Sequence, residues 1–254
     1  MTFDFKDKCV LITGGSRGIG KACAQIFAEA GAQVAITYLS NQAAAQETLS
    51  TLAGSSHSAW QLEVQDPIAV EKLMTDFIAK YGRIDILVNN AGIYLEHKIL
   101  EASYDEWQTN WKQTVDANLT GPANLCYFAG RQMAAQGGGK IINISSRGAF
   151  RGEPDHPAYG ASKAGLNAMS QSLAQALAPK GVSIHVIAPG FTETDMTASI
   201  LDSPAGEAIK KQSPFGRVAK PEEVARLVAV YASTGMEFGS GGIIDINGAS
   251  YLRS

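Results

Sequence analysis

The chain has 254 residues, of which 45% are hydrophobic and 18% are charged, and its formal net charge is −3. This is the composition of an ordinary globular protein, and we expect one domain over residues 1–254. The small negative charge, with no run of Lys or Arg, argues against nucleic-acid binding. No apolar stretch approaches the length of a membrane span, and the N-terminus lacks the apolar core of a signal peptide. We therefore expect no membrane association and a cytoplasmic location.

The three cysteines, Cys9, Cys23 and Cys126, lie far apart in apolar segments. This pattern predicts buried, reduced thiols rather than a disulfide. The four histidines share no metal-ligand spacing with the cysteines, so we expect no metal site.

Strand-length apolar runs alternate with segments of helical period along almost the whole chain. Strands are predicted over residues 10–13, 34–38, 60–64, 84–88, 140–144, 182–187 and 242–246. Helices are predicted up to about 30, after the second strand, from 67 to about 80, over about 104–133 and 158–178, and from 221 onwards. Gly31 fits the position that follows a helix end, and Asp66 fits a helix N-cap. Trp107 and Trp111, one helical turn apart, are expected to pack in the core.

The alternation predicts a parallel sheet with helices on both faces and ligands bound beyond the carboxyl ends of its strands. Gly14, Gly18 and Gly20 follow the first strand, where glycines keep the turn tight and let backbone N–H groups approach a pyrophosphate. A glycine turn needed only for packing is the alternative. Later strands are followed by Asn89-Asn-Ala-Gly92, Ser145-Ser146 and Pro189-Gly190, and the pair Tyr159 and Lys163 shares one face of a helix.

In this order, the motifs resemble those of the short-chain dehydrogenase/reductase family, and the resemblance covers the chain from Thr13 to Gly248. It implies an α/β fold, a Rossmann-type doubly wound parallel sheet of about seven strands with helices on both faces. It also implies hydride transfer between a nicotinamide cofactor and a carbonyl or alcohol. By the same resemblance, Tyr159 donates or accepts the proton, and Lys163 lowers its pKa and holds the nicotinamide ribose. Ser146 then donates to the substrate oxygen, and Asn118 orders a relay water.

The resemblance also implies a set of cofactor contacts, which come from every strand end of the predicted site. They are Gly14, Ser16, Arg17, Gly18, Ile19, Gly20, Tyr38, Ser40, Asn41, Glu63, Val64, Asn90, Ala91, Gly92, Tyr159, Lys163, Pro189, Gly190, Thr192 and Thr194.

The proposed chemistry rests on the pKa of Tyr159. A free tyrosine has a pKa near 10, too high for a base at neutral pH. An ammonium about 5 Å away contributes roughly 3 kcal/mol, or about two pK units, at an effective dielectric constant of about 20. Together with the charge of an oxidised nicotinamide, we expect Lys163 to bring the phenol near neutrality. The alternative for Tyr159 and Lys163 is an ordinary helix-surface pair.

The segment after the second strand favours NADP(H) over NAD(H). An acid at this strand end usually binds the adenosine 2′-hydroxyl of NAD, but Tyr38 stands there and no Asp or Glu follows in 39–41. Arg17 can reach a 2′-phosphate, and Ser40 or Asn41 can hydrogen-bond it. A solvated loop charge is the alternative for Arg17.

Several positions depart from the family pattern. Glu63 replaces the Asp that contacts adenine, His185 replaces a frequent Asn and is expected to be a core histidine, and Asn247-Gly-Ala249 replaces a closing Asp-Gly-Gly. Members that reduce 3-oxoacyl chains on acyl carrier protein carry basic residues at the mouth of the site. Only Lys140 and Lys180 match that patch here, beside Gly137-Gly-Gly139.

We therefore expect an NADP-dependent reductase or dehydrogenase acting on a carbonyl or secondary alcohol of a small or medium-sized substrate. A 3-oxoacyl-carrier-protein reductase is the alternative enzyme, and a non-enzymatic NADP-binding sensor is the alternative of another class. Residues 191–216 are expected to form a substrate flap, with Tyr94, Phe150, Arg151, Glu153 and His156 flanking the pocket; Arg151, Glu153 and His156 are alternatively solvated loop residues. The small and apolar faces of the two long helices imply, through the resemblance, a homotetramer.

Overall fold

The computed structural model describes residues 2–253, which build one seven-stranded parallel sheet. The strands are β1 (Cys9–Ile12), β2 (Gln33–Tyr38), β3 (Ser58–Gln61), β4 (Ile86–Asn89), β5 (Gly139–Ile144), β6 (Val182–Pro189) and β7 (Ile243–Ile246). Their order is β3-β2-β1-β4-β5-β6-β7, and every neighbouring pair is parallel. The predicted Rossmann-type doubly wound sheet is confirmed.

Helices cover both faces of the sheet. They are α1 (Gly18–Glu29), α2 (Gln42–Ser50), α3 (Pro67–Tyr81), α4 (Tyr104–Val115), α5 (Gly121–Ala135), α6 (Gly148–Arg151), α7 (Pro157–Leu177), α8 (Asp195–Leu201), α9 (Gly206–Lys210) and α10 (Pro221–Ala232). One apolar core lies under α1 and α10, around Phe27 and Val228, and the other lies under α3 and α5, around Phe77 and Met133. Burial of these side chains from both faces is the main force that holds the parallel sheet together.

Local signals fix the helix ends as predicted. Gly31 follows α1 with φ +90°, and the carboxylate of Asp66 accepts from the backbone N–H groups of Ile68 and Ala69 at the start of α3. His185 is fully buried in β6, as expected for a core histidine. Cys9, Cys23 and Cys126 are buried, free thiols. Among residues 2–253, no helix is both long and apolar enough to cross a membrane.

Three predictions about elements need correction. The third strand lies at 58–61 rather than 60–64, because the chain leaves the sheet after the amide of Leu62 pairs with the Tyr38 carbonyl. The helix predicted over 104–133 contains a π-helical turn at Asp116–Thr120, which joins α4 to α5. Trp107 is only partly buried and Trp111 is 37% exposed, so this pair does not pack in the core.

Residues 191–216 hold the two short helices α8 and α9 joined by turns. This agrees with the irregular or short-helical structure predicted for the segment. Its function as a flap, and the extent of the domain over 1–254, stay predictions.

Candidate active site

A cleft of about 320 Å³ opens at the carboxyl ends of β1, β4, β5 and β6. Most of the residues expected to bind the cofactor or catalyse the reaction line it: Gly14, Ser16, Arg17, Gly18, Ile19, Tyr38, Glu63, Val64, Asn90, Ala91, Gly92, Ser146, Tyr159, Lys163, Pro189, Gly190, Thr192 and Thr194. Four expected residues, Gly20, Ser40, Asn41 and Asn118, do not line its wall. The parallel topology therefore brings together side chains that are far apart in sequence.

The glycine turn leads into the N-terminus of α1, whose first backbone N–H groups have no side-chain partner. Gly14 has φ +64°, and a Cβ at Gly20 would lie 2.2 Å from the Gly14 carbonyl oxygen, which explains both glycines. Unlike α3 and α4, α1 has no side-chain cap, and its first turn holds no acid. Its first N–H groups are therefore available to an anion at the cleft, which fits the pyrophosphate of a dinucleotide.

Asn90 holds this turn in place. Its Nδ2 donates to the carbonyl oxygens of Thr13 (2.9 Å) and Gly14 (3.1 Å). The Thr13 hydroxyl oxygen in turn accepts from the backbone amides of Asn90 and Ala91, both at 3.0 Å. The Asn90 side chain is thus used to join β1 to β4, and its neighbours Ala91 and Gly92 present backbone to the cleft.

The residues at the end of β2, Tyr38 to Asn41, contribute no acid to this corner of the cleft, in agreement with the sequence-based expectation. Arg17 is 68% exposed, and its guanidinium lies 3.4 Å from the Asp195 carboxylate across the cleft mouth. The Asn41 side-chain oxygen caps α2 by accepting from the Ala44 amide (2.9 Å), and Ser40 is exposed. An exposed ion pair of this kind is weak, so Arg17 can leave Asp195 for a phosphate.

Tyr159 and Lys163 lie on the cleft-facing side of α7. The Lys163 Nζ is 5.8 Å from the centre of the Tyr159 ring and donates to the Ile144 carbonyl (2.8 Å). Burial lowers the pKa of Lys163 to about 8. Burial also raises the pKa of Tyr159 to about 12; the Ser146 hydroxyl acts in the opposite direction and the Glu153 carboxylate adds to the rise. The side chains alone therefore do not bring this phenol near neutrality.

Ser146 is positioned to donate. The backbone amide of Gly148 donates to its Oγ at 3.0 Å, which occupies the acceptor side of the hydroxyl. The hydroxyl can then donate its proton within the cleft, to Tyr159 or to a substrate oxygen on which charge develops.

Asn118 lies behind the cleft wall in the π-helical turn. It is fully buried, its Oδ1 accepts from the Ile93 amide (2.8 Å), and its Nδ2 donates to the Ile93 carbonyl (2.9 Å) and to the Ser162 hydroxyl oxygen (3.3 Å). A π-turn widens the helix locally and is frequent at functional sites. Here it turns the asparagine towards the strand end next to Lys163.

An aromatic group covers Tyr159. The Tyr94 ring meets Tyr159 edge-on with centroids 4.7 Å apart and stacks on the His156 ring at 3.6 Å. Its hydroxyl donates to Glu153 (3.5 Å), whose pKa is raised by burial. Arg151 is exposed, so of these flanking residues Tyr94, Glu153 and His156 are the ones assembled beside Tyr159.

Sequence reasoning missed part of the cleft wall. Thr37 is buried in β2, and its hydroxyl oxygen accepts from the Gly14 amide (3.2 Å). The sequence pattern that could have identified it is a single polar residue within an apolar strand. Met196 and Thr197 also line the cleft, and their position depends on how residues 191–201 fold back, which no local pattern specifies.

The parallel sheet, the uncapped glycine turn and the Ser–Tyr–Lys arrangement define a dinucleotide-binding oxidoreductase. A family model described as enoyl-(acyl carrier protein) reductase matches residues 14–248. The 3-oxoacyl-(acyl-carrier-protein) reductase FabG of Chlamydia trachomatis serovar D is 37% identical over 95% of this chain and 96% of its own length. The protein of the same name from Escherichia coli K12 is 35% identical over 98% and 99% of the two chains. A dehydrogenase/reductase structure from Sinorhizobium meliloti superposes with a TM-score of 0.90 at 31% identity, covering 98% and 97% of the chains.

The chain belongs to the short-chain dehydrogenase/reductase family. The predicted reaction class is confirmed: it is an NADP(H)-dependent oxidoreductase that acts on a carbonyl or the corresponding alcohol.

Proposed function

We propose that the enzyme reduces the carbonyl group of a small or medium-sized substrate to a secondary alcohol, with Tyr159 as the proton donor. The observation that carries this proposal is the placement of Ser146, Tyr159 and Lys163 on the wall of one cleft with the uncapped N-terminus of α1. NADPH, when bound, supplies the hydride. The Tyr159 hydroxyl gives its proton to the substrate oxygen while Ser146 donates a hydrogen bond to it. Lys163 supports the charge on the phenol, and Asn118 connects the site to solvent through a relay water.

The second candidate function is reduction of a 3-oxoacyl chain on acyl carrier protein, which the names of the relatives favour. One of the two basic positions for such a partner is already occupied within the chain. The Lys140 Nζ donates to the Ser233 carbonyl (2.7 Å) and pairs with Glu237 (2.8 Å), and its side chain is 12% exposed. Only Lys180 remains exposed, which supports a free substrate over one presented by an acidic carrier protein.

A cofactor-coupled absorbance assay separates the two candidates. NADPH oxidation is followed with a panel of ketones and aldehydes, with acetoacetyl-coenzyme A and with acetoacetyl carrier protein. We expect kcat/KM for at least one free carbonyl to exceed that for the carrier-bound thioester. A clear preference for the carrier-bound substrate would establish the second candidate instead, and no turnover with any of them would contradict both.

Arg17→Ala is expected to raise the KM for NADPH about 10- to 100-fold and to leave that for NADH nearly unchanged. A charge-assisted hydrogen bond to the 2′-phosphate contributes about 1.5–3 kcal/mol, and NADH has no such phosphate. NADH thus serves as the internal control in initial-rate measurements. A wild-type enzyme that prefers NADH would refute the assignment of Arg17 and of the corner around Tyr38.

We also propose a homotetramer in the cytoplasm. Exposed aromatic side chains on α4 and α5, Tyr104, Trp111 and Tyr127, give these helices an apolar outer face of the kind that marks an interface. Three free cysteines support a reducing compartment. Sedimentation of the wild type should give about four times the 26.8 kDa chain mass, and Trp111→Glu should shift it to smaller species. A wild type that sediments only as one chain would rule the tetramer out.

A further inference from the structure

A second cavity of about 250 Å³ is lined in part by the segment 191–216. A short backbone bridge separates it from the dinucleotide cleft: the Ala219 amide donates to the Phe191 carbonyl (3.0 Å), and the Glu193 amide donates to the Ala219 carbonyl (2.9 Å). Asn247, Gly248 and Ser250, which follow β7, close its far side. A ligand in this cavity therefore occupies a site distinct from the one that holds the cofactor.

The charged residues on the wall of this cavity are Arg147, Arg217 and Glu223. Arg217 and Glu223 neutralise each other, since the two guanidinium nitrogens Nη1 and Nη2 each meet a carboxylate oxygen at 2.7 Å. Arg147 has no such partner: within residues 2–253 no carboxylate oxygen lies within 4.0 Å of its guanidinium. The cavity thus carries one uncompensated positive charge.

Arg147 is 3% exposed, and its two hydrogen-bond partners are neutral side chains. Its Nη1 donates to the Ser250 hydroxyl oxygen and its Nη2 to the Gln212 side-chain oxygen, both at 2.6 Å, and the Phe191 ring centre is 5.1 Å from the guanidinium carbon. Burial lowers the pKa of Arg147, which expresses the same cost of holding an unpaired charge away from water. The Arg151 guanidinium, which shares the Gln212 oxygen (3.3 Å), repels that of Arg147 and lowers its pKa further. Glu153 attracts it from beyond ion-pair distance and is itself hydrogen-bonded to Tyr94.

We propose that this cavity binds a small organic monocarboxylate whose carboxylate pairs with the guanidinium of Arg147. A carboxylate matches the planar donors of a guanidinium and supplies the missing charge. Beside the polar Ser213, Asn247 and Ser250, the wall is apolar, from Phe191, Ile209, Phe215, Val218 and Ile246. They select a short acyl or aryl body over an inorganic anion. Because the walls belong to the segment 191–216, to residues 217–223, to β7 with the residues after it and to the residue after Ser146, a bound carboxylate contacts all these parts.

The test is isothermal titration calorimetry of the full chain with hexanoate and with benzoate. Hexanamide and benzamide have nearly the same shape without the charge, and inorganic phosphate has charge without the apolar body. We expect each carboxylate to bind at least about tenfold more tightly than its amide and than phosphate. Titrations repeated with saturating NADPH and with Tyr159→Phe should give the same affinity, which separates this cavity from the catalytic cleft and makes the result independent of the proposed reaction.

Two variants locate the site. Arg147→Gln should lose at least about tenfold in carboxylate affinity, and Arg226→Gln, an exposed arginine on α10 outside the cavity, should lose none. Ile209→Phe fills the cavity while keeping Arg147, so it should abolish binding even if Arg147→Gln fails to fold. Equal affinity for carboxylate and amide, unchanged binding to folded Arg147→Gln or to Ile209→Phe, or no binding at all would overturn the proposal.

Discussion

Tyr159→Phe should lose about 10²- to 10⁴-fold in kcat, the range that a positioned proton donor contributes, while the Kd for NADPH stays within about twofold. The change removes one hydroxyl and keeps the ring that packs against Tyr94. Its hydrogen-bond partner is Ser146, and within residues 2–253 it makes no hydrogen bond to the glycine turn or to α1. Stopped-flow turnover and fluorescence titration of NADPH measure the two quantities separately.

Tyr104→Phe is the matched control, because Tyr104 is 75% exposed at the start of α4 and lies outside the cleft. It should keep wild-type kcat. If Tyr159→Phe kept more than about a tenth of wild-type turnover, another group would have to donate the proton, since general acid catalysis normally contributes far more than that. Glu153, joined to Tyr94 beside the ring, would be the group to test next.

The pH dependence follows from the direction of the Tyr159 shift. Burial raises the pKa of this phenol to about 12, so the hydroxyl is protonated at neutral pH. Reduction, which uses the protonated phenol, should therefore stay nearly constant from pH 6 to 8 and fall only in the alkaline range. Oxidation of the alcohol, which needs the phenolate, should rise with pH over the same interval. A reduction rate that rises from pH 6 to 8, or an oxidation rate that falls over that interval, would contradict Tyr159 as the acid and base.

The sheet could be predicted from sequence because each apolar run that forms a strand is followed directly by residues with a functional motif. Apolar runs such as those at Val10 and Ile184 are buried from both faces, and each is followed by the residues that form the cleft. The third strand was misplaced because Leu62 and Val64 are buried outside the sheet, against the helices of one face. Burial without strand pairing gives the same apolar pattern in sequence.

The long helix shows a different limit. Trp107 and Trp111 have the spacing of a core-facing pair, but Trp111 is partly exposed to solvent. An exposed side chain of this kind is available for contact with another molecule. Spacing indicates that two residues share a face and not what covers that face. The π-turn that holds Asn118 was also invisible, since it depends on the fit of Gly121 against Val64: a Cβ there would lie 2.6 Å from the Val64 carbonyl oxygen.

The sequence allows an estimate of the charge–charge attraction in the site, but not of the effect of burial on the pKa values. From the spacing of Tyr159 and Lys163 one can estimate an attraction between phenolate and ammonium, and the structure places Nζ 5.8 Å from the ring centre, but the groups that shift the pKa of Tyr159 are its burial, Ser146 and Glu153. Burial of the two groups has no sequence signature, yet it raises the pKa of Tyr159 and lowers that of Lys163. The desolvation of the phenolate thus exceeds the help it receives from the side chains, and the cofactor's charge must supply the remainder.

Lys163→Met should reduce alcohol oxidation about 100-fold at neutral pH. A unit charge about 5–6 Å from the phenolate oxygen is worth about 3 kcal/mol at an effective dielectric constant of about 20, or roughly two pK units on Tyr159. Without the ammonium, the pKa of the phenol rises further and the fraction of phenolate falls in proportion. The alkaline limb of the oxidation profile should therefore move to higher pH in steady-state measurements, while thermal melting reports any cost of the Ile144 carbonyl that loses its donor.

The pKa of Lys163 adds a pH dependence to this prediction. Because burial lowers it to about 8, the wild-type ammonium is charged below that pH and loses its charge above it. The ratio of wild-type to Lys163→Met oxidation should accordingly be largest below pH 8 and shrink as the pH rises further, and Lys163→Arg should restore part of the rate below pH 8 because it keeps the charge. A ratio that stays constant from pH 6 to 10 would mean that Lys163 acts only by holding the cofactor, since a contact with the ribose hydroxyls does not titrate with Tyr159.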